Sequence, residues 1–444
     1  MNFYIETLGC ARNQVDSEVL AGHLVKNGLF QVLTPEEAEL IFINTCSFVQ
    51  DAVEESIDTI LALAEYKKTG KCTLLVVAGC LPERFQAGIV QSLPEVDFFA
   101  GTAAYFSILS FIEKERSSQK SESLLCPDPK TAPLHTKDMP RIRNTAHSAY
   151  LKVAEGCSRH CTYCIIPKLR GIQRSRPLHD LVAEAGALVL EGVRELNLVA
   201  QETTDWGRDL HTGENIADLV RALCDSLEPR VWIRLLYGHP LSISDELLFL
   251  MAERKNFCSY LDIPIQHASD AVLRRMGREY GKGELLNLFK RIRAKVPDIT
   301  LRTTLITGFP GESEEDFLEL LEFVKEISFD HLGVFVYSDM EDLPSHHLKD
   351  HVPPEIAEQR RDAIMEVQAE ISWKKNQEKV GKVFSVLIEG EGESGMAEGR
   401  AGFLAPEVDG LIYVDGADFR PGDFVRVEIS DAFDYDLAGT VVDE

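Results

Sequence analysis

The stretch EGCSRHCTYCIIPKLRG, residues 155–171, places Cys157, Cys161 and Cys164 within eight positions of one loop. Thiols this close do not make an ordinary disulfide framework; the spacing is that of metal ligands. Zinc would need a fourth ligand, and His160 is the only local candidate. His160 is adjacent to Cys161, however, so both side chains would strain to reach one tetrahedral ion. Ferredoxin-type clusters use four cysteines at other spacings. Three thiolates on a four-iron cluster leave one iron without a protein ligand, which is useful only where something else must bind.

The loop directly follows AYLKVAEG, the first of six β-type runs. ELNLVAQE, VWIRLLYG, YLDIPIQ, TLRTTLITGF and HLGVFVYS follow, separated by helical stretches such as PLHDLVAEAGALVLEG. Six βα units predict a partial (βα)6 TIM-like barrel with its chemistry at the carboxyl ends of the strands, where the cysteine loop lies. We assign this core to residues 143–373, with a closing helix over 350–376. Residues 113–142 are polar and proline-broken and read as a linker, and Cys126 within it reads as incidental.

Residues 1–112 read as an N-terminal parallel α/β domain. NFYIETLG, LIFINT and TLLVVAG are strands, each followed by a cysteine: Cys10, Cys46 and Cys80. Ligands of open α/β sheets bind at such strand ends, so three thiols there can converge. Helices are expected immediately after Cys10 and Cys46, their positive ends favouring thiolates. In DAVEESIDTILALAEY, Val53, Ile57, Ile60, Leu61 and Ala64 share one predicted helix face. Residues 374–444 switch to short β runs (VFSVLI, GLIYVD, DFVRVEIS, LAGTVV) between glycine and aspartate turns, predicting a small closed β-barrel. The overall class is α/β.

The chain has 444 residues and a net charge of −26, with 45% hydrophobic residues. That charge argues against broad nucleic-acid binding. No charged and apolar leader opens the sequence, and no apolar run approaches the ~20 residues of a spanning helix. A cytoplasmic protein with no membrane partner is expected, its ten cysteines mostly thiols or ligands.

Cys-x3-Cys-x2-Cys after the first barrel strand, with Tyr163 before the last cysteine, resembles the radical S-adenosylmethionine superfamily. The amine and carboxylate of that cofactor would chelate the open iron, and Tyr163 would meet its adenine. TLGCARNQVDSE, NTCSFVQDAVEES, VAGCLPER, YLDIPIQHASDAVLRRMGR and LRTTLITGFPGE resemble methylthiotransferases over nearly the whole chain, and the final barrel resembles the TRAM module. CSFVQDAVEES, LVAQETTDWG and APEVDG are similar to the RimO type, which modifies an aspartate of a small-subunit ribosomal protein near the decoding centre. The resemblance implies two 4Fe-4S clusters, one on Cys157, Cys161 and Cys164 and one on Cys10, Cys46 and Cys80. It implies a radical that takes hydrogen from the aspartate β-carbon, a methylated sulfur that replaces it, and a separate reductant protein. That C–H bond is too weakly acidic for acid–base catalysis, so no side chain is assigned as catalytic and the cofactor does the hard step.

Residues 381–444 hold 15 Asp plus Glu against 4 Lys plus Arg. Such a module suits a basic ribosomal protein and disfavours tRNA. The alternatives are a tRNA adenosine methylthiotransferase and a non-catalytic iron–sulfur electron-transfer protein. Gln201, at a strand end, and Arg302, in the fifth strand, are expected to contact the cofactor. Arg170, Arg174 and Arg176 are candidate carboxylate receptors. Gln266 and His267 read as barrel-top hydrogen-bonding groups, Gly308 and Gly311 as turn formers, and Cys72, Cys224 and Cys258 as packing residues.

Overall fold

A computed structural model of the chain describes residues 1–116, 122–392, 395–416 and 418–442. Its first sheet comprises β1 (Asn2–Thr7), β2 (Phe30–Gln31), β3 (Leu40–Thr45), β4 (Leu74–Gly79), β5 (Phe98–Ala100) and β6 (Leu124–Leu125). They pair in the order β2-β1-β3-β4-β5-β6, all parallel. LIFINT of β3 is buried at every position, as expected of a central parallel strand covered on both faces. Thr7 stands opposite Asn44, and Thr45 opposite Gly79. This register brings the chain segments carrying Cys10, Cys46 and Cys80 out along one edge.

The helix after Cys10, Ala11–Lys26, begins where expected. The helix after Cys46 does not: three residues intervene before Gln50–Ala64. Its buried face is Val53, Ser56, Ile60, Leu63 and Ala64, whereas Leu61 is exposed. Part of the expected linker is built into the fold. Leu124–Leu125 adds the sixth strand, and Arg141 is held by Glu18 and Glu184. Linker residues 117–121 lie outside the described residues.

The second sheet begins with β7 (Ser148–Lys152). A small antiparallel pair, β8 (Ala154–Glu155) and β9 (Arg174–Ser175), then brackets the cysteine loop. β10 (Glu195–Val199), β11 (Trp232–Leu235), β12 (Phe257–Asp262), β13 (Thr300–Thr307) and β14 (His331–Val336) complete six parallel strands in sequential order, unpaired between first and last. This is the expected partial barrel. Leu151, Leu198, Leu235, Leu261 and Leu301 pack with the helices of the core. On the other face, Tyr150, Val199 and Tyr260 pack with Ala11, Val15 and Val19 of the first domain's helix. Strand alternation thus lets one sheet bury two different partners.

The expected closing helix is Pro354–Gln377. Beyond it, β15 (Val383–Glu391), β16 (Ala397–Ala401), β17 (Ile412–Asp415), β18 (Phe424–Ala432) and β19 (Leu437–Val441) form a closed barrel. β16, with sequence AEGRA, has no β-type signature and is set by its pairing with β15 and β17. No helix among the described residues is long and apolar enough to cross a membrane.

Candidate functional site

Cys10, Cys46 and Cys80 are positioned by the ends of β1, β3 and β4. Gly9, at φ +94°, turns the chain so that Cys10 caps the helix Ala11–Lys26. A Cβ on Gly9 would stand 2.8 Å from the Cβ of Cys46, so the first two cysteines approach only because residue 9 has no side chain. Ser56 fixes Cys46 by donating to its carbonyl at 2.8 Å and accepting from its N–H at 3.2 Å.

In the second set, the N–H of Cys157 donates to the carbonyl of Gly171 at 3.1 Å, and that of Cys164 to the carbonyl of Cys161 at 3.2 Å. Arg278 reaches the sulfur of Cys161 at 3.7 Å and lies over the rings of Tyr163 and Tyr280. Arg159 pairs with both oxygens of Glu202, at 2.7 and 2.8 Å.

All six cysteines line one cavity of about 460 Å³. The first domain is locked over the core there by buried charges. Asp16 pairs with Lys152 and Arg170, and Glu155 pairs with the same two cations. Arg170 also donates to Asn13 at 2.6 Å and comes within 3.8 Å of the sulfur of Cys80. Burial pushes the thiols of Cys80 and Cys164 up to about 12, that of Cys157 to about 11, and that of Cys46 upward. Burial also opposes ionisation of Cys10, but Arg12 and Arg170 outweigh it and hold its thiol below the ordinary value. Cys46, Cys80, Cys157 and Cys164 therefore need a further positive charge to become thiolates, which is what metal ligation supplies.

Among the described residues, no three Cys, His, Asp or Glu side chains gather closely enough for one metal ion. His160 is exposed and does not line the cavity, which removes the zinc arrangement. A four-iron cube instead takes one thiolate on each of three separate irons, and three cysteines per set fit that donor count. The wall also holds orphaned polar atoms, Gln201 Oε1 and Arg278 Nε, which fit a polar ligand rather than an apolar one.

Tyr163 and Gln201 line this cavity. The amide of Gln201 donates to Glu155 at 2.7 Å. Arg302 lies instead on an adjoining cavity of about 230 Å³ that shares Tyr163, Tyr237 and Gln266 with the first. It is flanked by Asp262 at 3.2 Å and Asp409 at 3.4 Å. Arg174 and Arg176 are not carboxylate receptors for a ligand. The first donates to the carbonyls of Ala132 and Pro129, and the second is buried against Asp180 and Glu184. Arg170 is likewise already paired. His267 is fully buried and accepts from the N–H of Ser269, so it serves structure. In GFPGE, Glu312 accepts from the N–H groups of Gly308 and Phe309, closing a turn.

Sequence reasoning missed Arg12, Arg278, Tyr237 and the Arg159–Glu202 pair. Tyr237 and Gln266 occupy the left-handed region at φ +61° and +69° just beyond strands of the core. Such strain, of order 1–3 kcal/mol each, clusters at functional sites; nothing in the local sequence announces it.

The chain matches an uncharacterised protein family, UPF0004, over residues 2–101, the radical SAM superfamily over 151–324 and the TRAM domain over 380–442. It is 48% identical over 440 residues to the ribosomal protein uS12 methylthiotransferase RimO of Desulfosudis oleivorans, covering 99% of each chain. It is 46% identical to the RimO of Geotalea uraniireducens, covering 98% of this chain and 97% of that one, and 43% identical to the RimO of Clostridioides difficile, covering 99% and 98%. Among solved structures, the radical S-adenosylmethionine methyltransferase TsrM of Kitasatospora setae aligns with a TM-score of 0.58 at 12% identity, over 84% of this chain and 89% of that one. The cobalamin-dependent radical enzyme OxsB aligns at 0.53 and 13%, over 82% and 56%. At such identities these two structures share the fold alone.

Proposed function

Because this chain belongs to the RimO family of ribosomal protein uS12 methylthiotransferases, we propose that it inserts a methylthio group at the β-carbon of an aspartate in uS12. The observation that supports this most is the convergence of six cysteines from two domains on one cavity. In this reading, Cys157, Cys161 and Cys164 hold one 4Fe-4S cluster and Cys10, Cys46 and Cys80 a second. Given an electron from a reductant protein, S-adenosylmethionine at the first would supply radical chemistry strong enough to remove hydrogen from an unactivated carbon, and the second would offer an open iron for the sulfur to be inserted.

The chain's own residues bind, orient and seclude. The ring of Tyr163, set against Phe309 at 6.3 Å, offers an apolar face to the adenine. Gln201 Oε1, buried without a donor, accepts from the cofactor's ammonium or hydroxyl groups. Arg302 acts from the adjoining cavity, its charge balanced by Asp262 and Asp409. Phe48 and Val49, on the segment after Cys46, line both cavities and keep water from the reacting atoms.

The acidic terminal module supports a basic protein substrate. Arg400, one of its four cations, is buried against Glu195 and Glu389 and is withdrawn from the surface. The decisive experiment offers reconstituted, reduced protein a uS12 loop peptide beside a tRNA anticodon stem-loop. Mass spectrometry is expected to find the added methylthio mass on the peptide. Gain on the RNA alone would reverse the substrate assignment, and absence of 5′-deoxyadenosine would favour a non-catalytic iron–sulfur protein. The cytoplasm, where ribosomal proteins and a reductant protein meet it, is the proposed location.

A further inference from the structure

The arginines around the two cavities divide by partner. Arg159 is matched by Glu202, Arg170 by Asp16 and Glu155, and Arg302 by Asp262 and Asp409. Arg278 has no carboxylate among the described residues, but it donates to the sulfur of Cys161 and to the carbonyl of Pro264 at 3.1 Å. Arg12 is different. Its one side-chain hydrogen bond among the described residues is a long one, 3.4 Å to the carbonyl of Ala200. It contacts no carboxylate and no sulfur at hydrogen-bond distance, although it lines the six-cysteine cavity.

Its position is nevertheless fixed. Arg12 lies over the ring of Tyr237, 4.3 Å from the ring centre, and Tyr237 is itself held in the left-handed region. The stack costs the guanidinium none of its five donors, and its planar fork matches a carboxylate. Arg12 belongs to the first domain but rests on Ala200 and Tyr237 of the core, so it bridges the two sides of the cavity. A fixed, partly buried cation whose only anionic neighbour of note is the Cys10 sulfur, with no carboxylate paired to its fork, is poised for a carboxylate brought from outside.

We infer that Arg12 is a specificity-determining residue that receives the side-chain carboxylate of the target aspartate. Resting on the uS12 reading above, this assigns the acid of the substrate to the wall beside Cys10. The methionyl carboxylate of the cofactor is the other source of the same chemistry. The location two residues from Cys10, on a helix of the first domain rather than on the 157–164 loop, favours the substrate.

The test measures binding of two labelled uS12 loop peptides, one with the target Asp and one with Asn there, to reconstituted holoenzyme. The wild type is expected to prefer Asp by about tenfold or more, since a site built for a charged hydrogen bond rejects the analogue lacking it. Arg12→Gln should bring the two within about twofold, and Arg12→Lys should keep an intermediate preference as a point charge without the fork. A wild type indifferent to Asp or Asn overturns the inference without any variant. So does an Arg12→Gln protein that keeps the preference, or one that loses S-adenosylmethionine affinity while keeping it, which would place the cofactor's carboxylate there. Should Arg12→Gln assemble poorly by visible absorption, loss of all preference in Arg12→Lys also counts against it. Failure of wild-type enzyme to modify uS12 at all strikes the functional reading, whereas modification without Asp–Asn discrimination strikes only the role of Arg12.

Discussion

The two cysteine sets reach the same cavity by opposite routes. Cys157, Cys161 and Cys164 sit on one loop, closed by a two-residue strand pair and by the contact of Cys157 with Gly171. Cys10, Cys46 and Cys80 are spread over 71 positions of sequence and meet only because β1, β3 and β4 are parallel neighbours in register. The loop set is a local device. The dispersed set depends on a whole sheet, and its approach to the loop set depends on how that sheet is docked. The same number of thiols therefore carries different vulnerabilities.

Removing one thiol from each set should have the largest and most divergent effects. Cys161→Ala should abolish 5′-deoxyadenosine formation and lower bound iron from about eight to about four atoms per chain. Cys46→Ala should lose the other four irons and all methylthio insertion, yet still form 5′-deoxyadenosine. Iron assay and chromatography of the nucleoside decide both. Loss of both activities from Cys46→Ala would show that the sets are not separable.

The docking comes next. Asp16 binds Lys152 and Arg170 in a site with almost no solvent. Removing one partner of such a network leaves buried charge unpaired, at a cost of ~3–5 kcal/mol. Asp16→Asn should therefore lower the melting temperature and release the iron of the dispersed set more readily than that of the loop set. Acid should act on the same network. Burial would raise the carboxyl of Glu155, but Lys152 and Arg170 outweigh it and hold it well below the usual carboxylate range. A depressed folded-state value means the stabilisation is present above the unfolded value, about 4.3, and is lost as pH falls below it. Stability measured from pH 5 to pH 3 should fall more steeply in the wild type than in Glu155→Gln; equal slopes would show the pair is not coupled to folding.

Legibility follows the same division. The loop set and all six core strands can be read locally, because thiol spacing and β-type runs are local signals. Convergence of Cys10, Cys46 and Cys80 was legible only as a strand-end pattern, and the short strands Phe98–Ala100 and Ala397–Ala401 were not legible at all. Their conformation is set by the neighbours they pair with rather than by composition. Leu61 was assigned to the buried face, yet Ser56 and Leu63 occupy that face, because the sheet beneath the helix decides which stripe is covered. Arg174 and Arg176 looked free for the converse reason: their partners, Ala132, Pro129 and Asp180 among them, are tertiary or unsignalled.

The smallest effect is expected at Cys126, and it sharpens what makes a cysteine a ligand here. Burial raises its thiol to about 11, much as it raises Cys157 to about 11 and Cys80 to about 12. Titration alone therefore does not tell a ligand from a bystander. Placement does: Cys126 follows the edge strand β6, its sulfur 3.5 Å from the carbonyl of Pro82, and it does not line the cavity. Cys126→Ala removes a small, half-buried group, so stability should change by no more than about 1 kcal/mol. Iron content and 5′-deoxyadenosine yield should match the wild type. A loss of four irons from this variant would mean that a thiol outside the cavity can ligate, and that the strand ends at Cys10, Cys46 and Cys80 do not by themselves define the second set.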